Sequence, residues 1–206
     1  MVSEKVAEVR ALPTKYNGHL FRSRLEARWA VFFDELNTPW QYESQGMHFP
    51  AGVYSHDESD MSGSTITLDR DWNYLPDFYL PELNSWFEVK GVNPSDDYRS
   101  MLHVTEWETN RIVILAVGEI PQFTADDEPM WDIWDFVTGP NVLWDNGYQF
   151  CRCPKCKRLG FTFEARSGRV CGRTHEGNGD YYRWDVSPDI LAAYRKARSY
   201  RFWDAA

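Results

Sequence analysis

The sequence predicts an α+β (mixed α/β) core with a small module appended at its carboxyl end. Three observations carry that prediction. Phe21, Leu25, Trp29, Phe32 and Leu36 recur at three- and four-residue steps, a helical stripe. Tyr74 to Gly91 reads as two short strands about a tight turn. Arg111 to Val117 is a continuous apolar run of strand length, the pattern of a strand buried on both faces. A helix, a hairpin and a buried strand in that order build layers around one core.

A chain of 206 residues, 43% of them hydrophobic, is long enough to bury such a core. Ten Trp residues point to large buried aromatic area. No apolar run is long enough to span a membrane, and no charged-then-apolar amino-terminal signal is present. The expectation is therefore a soluble, cytoplasmic protein. The net charge of −9 hides an asymmetry. Residues 1–149 hold 10 Lys and Arg against 25 Asp and Glu, whereas residues 150–206 hold 12 against 6. An acidic body suits metal-binding chemistry, and a basic tail suits a polyanion or simply a solvated surface.

In chain order, Asn17-Gly18 marks a turn after a stretch without clear pattern. A helix is expected from about Leu20 to Leu36 and ends at Asn37-Thr38-Pro39. Trp40 to Glu43 reads as a strand. Residues 50–65 are polar and rich in Gly and Ser, and read as a loop, either a surface insertion or a flap. Ile66 to Leu68 begins a strand that leads into the hairpin. Ser95 is an N-cap for a helix running to about Thr109, ahead of the buried strand. Residues 119–149 are acidic and Trp-rich, with short strand or loop pieces. Ser187 and Pro188 open a last helix, through about Trp203.

The hairpin carries the chemistry. A turn centred between Glu82 and Leu83 puts Asp77 directly opposite Glu88, with Cβ atoms about 5 Å apart on one face. Lys90, two residues on, shares that face. Opposed like charges are destabilising unless something sits between them, and a divalent ion is the simplest candidate. Oxygen ligands suit Mg²⁺, and Mn²⁺ fits as well. The bland alternative is a surface hairpin whose Lys90 pairs with one of the acids. The flanking Pro76, Phe78, Phe87 and Val89 argue instead for partial burial. On the first helix, Ser23-x-x-Glu26 fits a capping box, with Arg22 an ion-pair partner four residues earlier. A helix that already includes Leu20 and Phe21 weakens the capping box.

The four Cys lie between Cys151 and Cys171, a bunching typical of metal ligation in a reducing compartment. Cys153 and Cys156, followed by Cys171 and His175, have zinc-finger-like spacing, with Cys151 as an alternative fourth ligand. Zinc there would be structural. Arg195, Arg198 and Arg201 fall at three-residue steps on the last helix and could track a phosphate backbone or stabilise the helix end. His103 lies within the second helix as a solvated or packed side chain.

Pro76-Asp77 and Glu88-Val89-Lys90 match the signature of the PD-(D/E)xK nuclease superfamily. The stretch FRSRLEARWAVFFDELNTPWQYE, ahead of LPDFYLP and WFEVKG, is similar to small phage-borne members that also carry a zinc-binding tail. The resemblance covers residues 16–117 well and the tail moderately, and breaks down at 50–65 and 119–149. It implies a restriction-endonuclease-like core over 16–149, with a central mixed sheet flanked by helices. It also implies a zinc-ribbon-like module with a basic helix over 150–206. Asp77 and Glu88 would hold Mg²⁺ together with the Val89 carbonyl, and Glu26 would join as ligand or water anchor. Lys90 would position the attacking water. Family members often place an extra polar residue on the second helix, a role open to His103. The implied activity is DNA hydrolysis, most simply as an endonuclease, in a bacterial host cell if the chain is phage-borne. The alternative is a catalytically silent relative that binds DNA or inhibits a nucleic-acid enzyme. The acidic body makes a homodimer or a partner protein plausible.

Overall fold

A computed structural model describes residues 11–56, 64–121, 137–138, 148–152, 156–163, 167–169 and 187–203. The elements in chain order are β1 (Thr14–Tyr16), β2 (His19–Phe21), α1 (Arg24–Glu35), β3 (Gln41–Tyr42), β4 (Met47–Phe49), β5 (Gly52–His56), β6 (Ser64–Leu68), β7 (Trp72–Tyr74), β8 (Phe78–Leu80) and β9 (Ser85–Lys90). They continue with α2 (Asp96–Thr109), β10 (Ile112–Val117), β11 (Val137–Thr138), β12 (Tyr148–Arg152), β13 (Leu159–Phe163), β14 (Ser167–Arg169) and α3 (Pro188–Ser199). The architecture is mixed α+β. None of the described helices is long and apolar enough to cross a membrane.

The main sheet has the order β11-β10-β9-β8-β3. β9 and β10 are parallel, a pairing that needs a crossover connection such as α2, and the other pairs are antiparallel. Phe87, Val89, Ile114 and Ala116 face one core, together with α1 and α3. Trp86, Val113 and Leu115 face the other, with Met101, Leu102 and Val104 of α2. Burial on both faces is the reason β10 reads as an unbroken apolar run. Phe150, Leu159, Ile190, Ala193, Tyr194 and Ala197 add to the first core. Phe150 and Tyr194 pack on Trp29 and Phe32, with Phe32 and Tyr194 stacked at 4.5 Å.

Several expectations change. Leu20 and Phe21 belong to β2, not to the first helix. Asn17 and Gly18 take left-handed φ values of 45° and 81° and turn the chain back from β1 to β2. α1 therefore starts at Arg24 with Ser23 as its N-cap, and the capping interaction discounted from the sequence is present: Glu26 N–H donates to Ser23 Oγ. Phe21 mimicked the helical stripe because it buries against the same core. Residues 50–65 are in part a hairpin, β5 with β6, and 57–63 lie outside the described residues. β7 pairs with β4 and not with the main sheet. The last helix ends at Ser199, four residues short of Trp203. Ser95, by contrast, caps α2 as expected, accepting from Tyr98 N–H.

Candidate active site

The turn between β8 and β9 sets the register. Leu83 N–H bonds Leu80 C=O, and Asn84 closes the turn at a left-handed φ of 49°. The pairs Leu80 with Ser85, Tyr79 with Trp86 and Phe78 with Phe87 follow. One further step brings Asp77 opposite Glu88, the alignment that the sequence predicts. Both carboxylates are buried, each 1% exposed. The period of a strand places Trp86, Glu88 and Lys90 on the α2 face of the sheet.

Asp77 continues the ladder just before β8 begins. Its Oδ2 accepts the Val89 N–H at 2.7 Å, and its carbonyl accepts the Glu43 N–H at 3.0 Å. Another step of the same register puts Pro76 opposite Val89. Proline has no N–H to donate, so this strand offers the Val89 carbonyl no ladder donor. In an extended strand that carbonyl points to the same edge as the Val89 N–H, toward Asp77.

Glu88 is clamped by four donors. Its Oε1 accepts from Tyr98 hydroxyl at 2.6 Å and lies 2.6 Å from Lys90 Nζ. Its Oε2 accepts from Tyr74 hydroxyl at 2.9 Å and from Asp77 N–H at 3.3 Å. The Lys90 ammonium also sits 4.7 Å above the Tyr98 ring. Burial, then the Glu88 charge, raises the pKa of both tyrosines, so both phenols stay protonated and donate.

Glu26 comes from α1, on the other face of the sheet, and is 6% exposed. Its Oε2 accepts from Tyr42 hydroxyl at 2.6 Å and from Arg22 N–H at 3.1 Å, and its Oε1 accepts from Ser23 Oγ at 2.7 Å. Arg22 joins the two halves of the site. Its guanidinium bonds Asp77 Oδ1, and its Nε lies 2.8 Å from Glu43 Oε1. The sequence pairing of Arg22 with Glu26 is thus corrected: only the Arg22 backbone bonds that acid. Burial, Glu88 and Glu26 together hold the Asp77 carboxyl well above its ordinary range, against the pull of Lys90 and the Val89 N–H.

The donor set fits a hard cation in kind. It offers two buried carboxylates and a backbone carbonyl, in a place where the protein's own electrostatics resist a second negative charge. Among the described residues, no three His, Cys, Asp or Glu side chains form a ready metal-holding group. Glu26 reaches Asp77 by charge and through Arg22, whose backbone bonds the one acid and whose guanidinium bonds the other. A cleft of about 300 Å³ opens next to the clamp, lined by Thr67, Arg70, Trp72, Asp97 and Ser100 among others. Trp72 stands edge-on to Tyr98 with ring centres 5.8 Å apart.

The remaining expected site residues disperse. Cys153, Cys171 and His175 lie outside the described residues. Cys156 is half-buried in the loop between β12 and β13, followed by Lys157 at a left-handed φ of 61°. Cys151 is fully buried within β12 opposite Gly160. Of the three tail arginines, Arg195 is exposed on α3. Arg198 is half-buried and donates to the Ile120 carbonyl, which ties it to the end of β10. Arg201 is exposed but lies beyond the helix, so the three do not form one helical stripe. His103 is half-buried in α2, and burial followed by Arg99 lowers its pKa, the setting of a packed neutral ring.

Sequence reasoning missed Arg22 as a partner of Asp77, and missed Tyr42, Glu43, Tyr74 and Tyr98. Tyr98 alone had a usable signal. It lies in the first turn of α2, a short connection after Lys90, and so has to stay near the end of β9. No family model, curated protein or solved structure matches the chain.

Proposed function

We propose that the chain is a divalent-metal-dependent nuclease of the PD-(D/E)xK kind that hydrolyses phosphodiester bonds in DNA. The observation that carries the reading is the buried, register-opposed pair Asp77 and Glu88 with Lys90 Nζ 2.6 Å from Glu88. The order α1, β3, β8, β9, α2, β10, with β9 and β10 parallel, supports a restriction-endonuclease-like core.

Asp77, Glu88 and the Val89 carbonyl would hold Mg²⁺ or Mn²⁺. A bound divalent ion supplies Lewis-acid polarisation of a phosphate oxygen and a water of lowered pKa. Lys90 stands where a donor can orient that water or meet negative charge as it develops. Tyr98 and Tyr74 keep the Glu88 carboxylate aimed. Glu26, held by Ser23 and Tyr42, adds negative potential at Asp77. Exposed Arg195 and Arg201 can contribute phosphate contacts from the basic tail.

Lys90→Ala is expected to lower Mg²⁺-dependent nicking of plasmid DNA by about 10²–10³-fold, while Mn²⁺ uptake measured by calorimetry persists. Unchanged nicking removes Lys90 from the mechanism. A second reading has one observation in its favour: every oxygen of Asp77 and Glu88 already holds a protein donor. A silent DNA-binding or inhibitory protein of the same fold would keep those bonds permanently. It would take up no Mn²⁺ and still be retained on DNA in a salt-dependent way.

A structural zinc ion in the module beyond β12 is the second metal of this proposal. The sequence between β12 and β13 contains Cys153 and Cys156, and Lys157 takes a left-handed φ of 61°. Elemental analysis of the purified chain is expected to find one zinc per chain, lost in Cys156→Ser. Cys151→Ser distinguishes the alternative ligand, because its burial inside a strand predicts that zinc stays.

A further inference from the structure

Among the described residues, Arg22 is the one cation paired directly with Asp77. Oδ2 of Asp77 is committed to the Val89 N–H, so Oδ1 is the oxygen through which this carboxylate can meet an incoming cation. The Arg22 guanidinium already occupies it. The Arg22 side chain is 54% exposed and anchored only through its backbone and its head, so moving it away disrupts little packing. Burial works against the Arg22 charge, but Asp77, Tyr42, Glu26 and Glu43 outweigh that and keep it firmly protonated.

Glu43 offers the guanidinium a second seat. Its carboxylate lies 2.8 Å from Arg22 Nε and is exposed enough to follow a moving partner. The backbone at Glu43 holds a left-handed φ of 46°, uncommon for a residue with a side chain. The bond from its N–H to the Asp77 carbonyl fixes that conformation. Such local strain is a mark of sites where position matters more than stability.

We propose that Arg22 and Glu43 form an electrostatic latch on the metal site, which rests on the nuclease reading above. Arg22 is the resident counter-cation of Asp77 in the metal-free chain. A divalent ion and the guanidinium compete for Oδ1, so metal uptake releases Arg22 from Asp77 and leaves it held by Glu43 alone. Neither residue is a metal ligand; both are positioning residues. Because competition is reciprocal, each cation weakens the other by the same factor. Removing Arg22 therefore tightens metal binding. Removing the Glu43 charge withdraws the anion that holds the released guanidinium and weakens metal binding, but only while Arg22 is present.

The test is Mn²⁺ titration of the full chain, followed by the electron paramagnetic resonance signal of free Mn²⁺. Arg22→Gln is expected to bind about fivefold more tightly and Glu43→Gln about fivefold more weakly, the range for one partly exposed charge. The double variant should match Arg22→Gln. Arg22→Lys, which keeps the charge and disturbs folding least, should stay within about twofold of the parent, the spread expected when charge is retained. Weaker binding in Arg22→Gln, or a Glu43→Gln effect that persists undiminished without Arg22, overturns the latch and leaves the metal site standing. No Mn²⁺ uptake by the unaltered chain overturns the metal reading and the latch together.

Discussion

Asp77→Asn is expected to abolish Mn²⁺ uptake and lower DNA cleavage by about 10³-fold or more, as loss of a metal ligand does, while stabilising the metal-free protein. The two effects share one cause. Asp77 is a buried carboxyl next to Glu88, with Glu26 also near. The amide keeps an acceptor for the Val89 N–H, and Arg22 keeps Glu43. What disappears is a charge that the fold resists. A gain of ~1 kcal/mol raises the melting temperature of a chain of this size by about 2–4 °C.

The pH dependence has a definite sign. The folded chain holds the Asp77 carboxyl above its ordinary range, so it binds a proton that the unfolded chain releases. The resulting stability is complete below roughly pH 4, the ordinary range of a free Asp. It is lost as pH rises through the elevated folded value. Thermal melts in a chelator should show this loss in the parent chain and not in Asp77→Asn. A lower melting temperature with unchanged Mn²⁺ uptake would show that Asp77 stabilises the fold and holds no metal.

Trp29→Ala is expected to cost about 3–5 kcal/mol. Trp29 is fully buried. It packs against Phe32 and Phe33 of its own helix, Phe87 of β9, Phe150 of β12 and Tyr194 of α3, with ring centres 4.8–6.3 Å apart. One cavity would therefore loosen the helix that carries Glu26, the strand that carries Glu88 and the carboxyl-terminal helix together. Urea unfolding followed by circular dichroism measures the loss. A cost near 1 kcal/mol would mean that α3 and the sheet hold together without this aromatic seam.

The hairpin at the site was legible because its determinants are local. A turn centred between Glu82 and Leu83 settles which residues oppose, and a period of two settles which share a face. Asp77, Glu88 and Lys90 follow from those two rules alone. The cap at Ser95 and the buried strand Ile112–Val117 are local in the same sense. The start of α1 was not, because Phe21 of β2 buries into the same core as the helix and extends its apolar stripe by coincidence of spacing.

The partners of the acids had no local signature. Arg22 meets Asp77 across 55 residues of chain, and Tyr42 meets Glu26 across 16. Those meetings exist only once β3 pairs with β8 and α1 covers the sheet. The tail shows the same division. Its charge marks residues 150–206 as different in composition, yet composition carries no information about which apolar face covers which. Only packing places Phe150 and Tyr194 against Trp29, and only packing turns Arg198 from an expected phosphate contact into a donor to the Ile120 carbonyl. The sequence by itself determined the register and face of the candidate catalytic triplet. The tertiary structure alone decided what neutralises it, because neutralisation depends on burial and on charges brought in from distant strands.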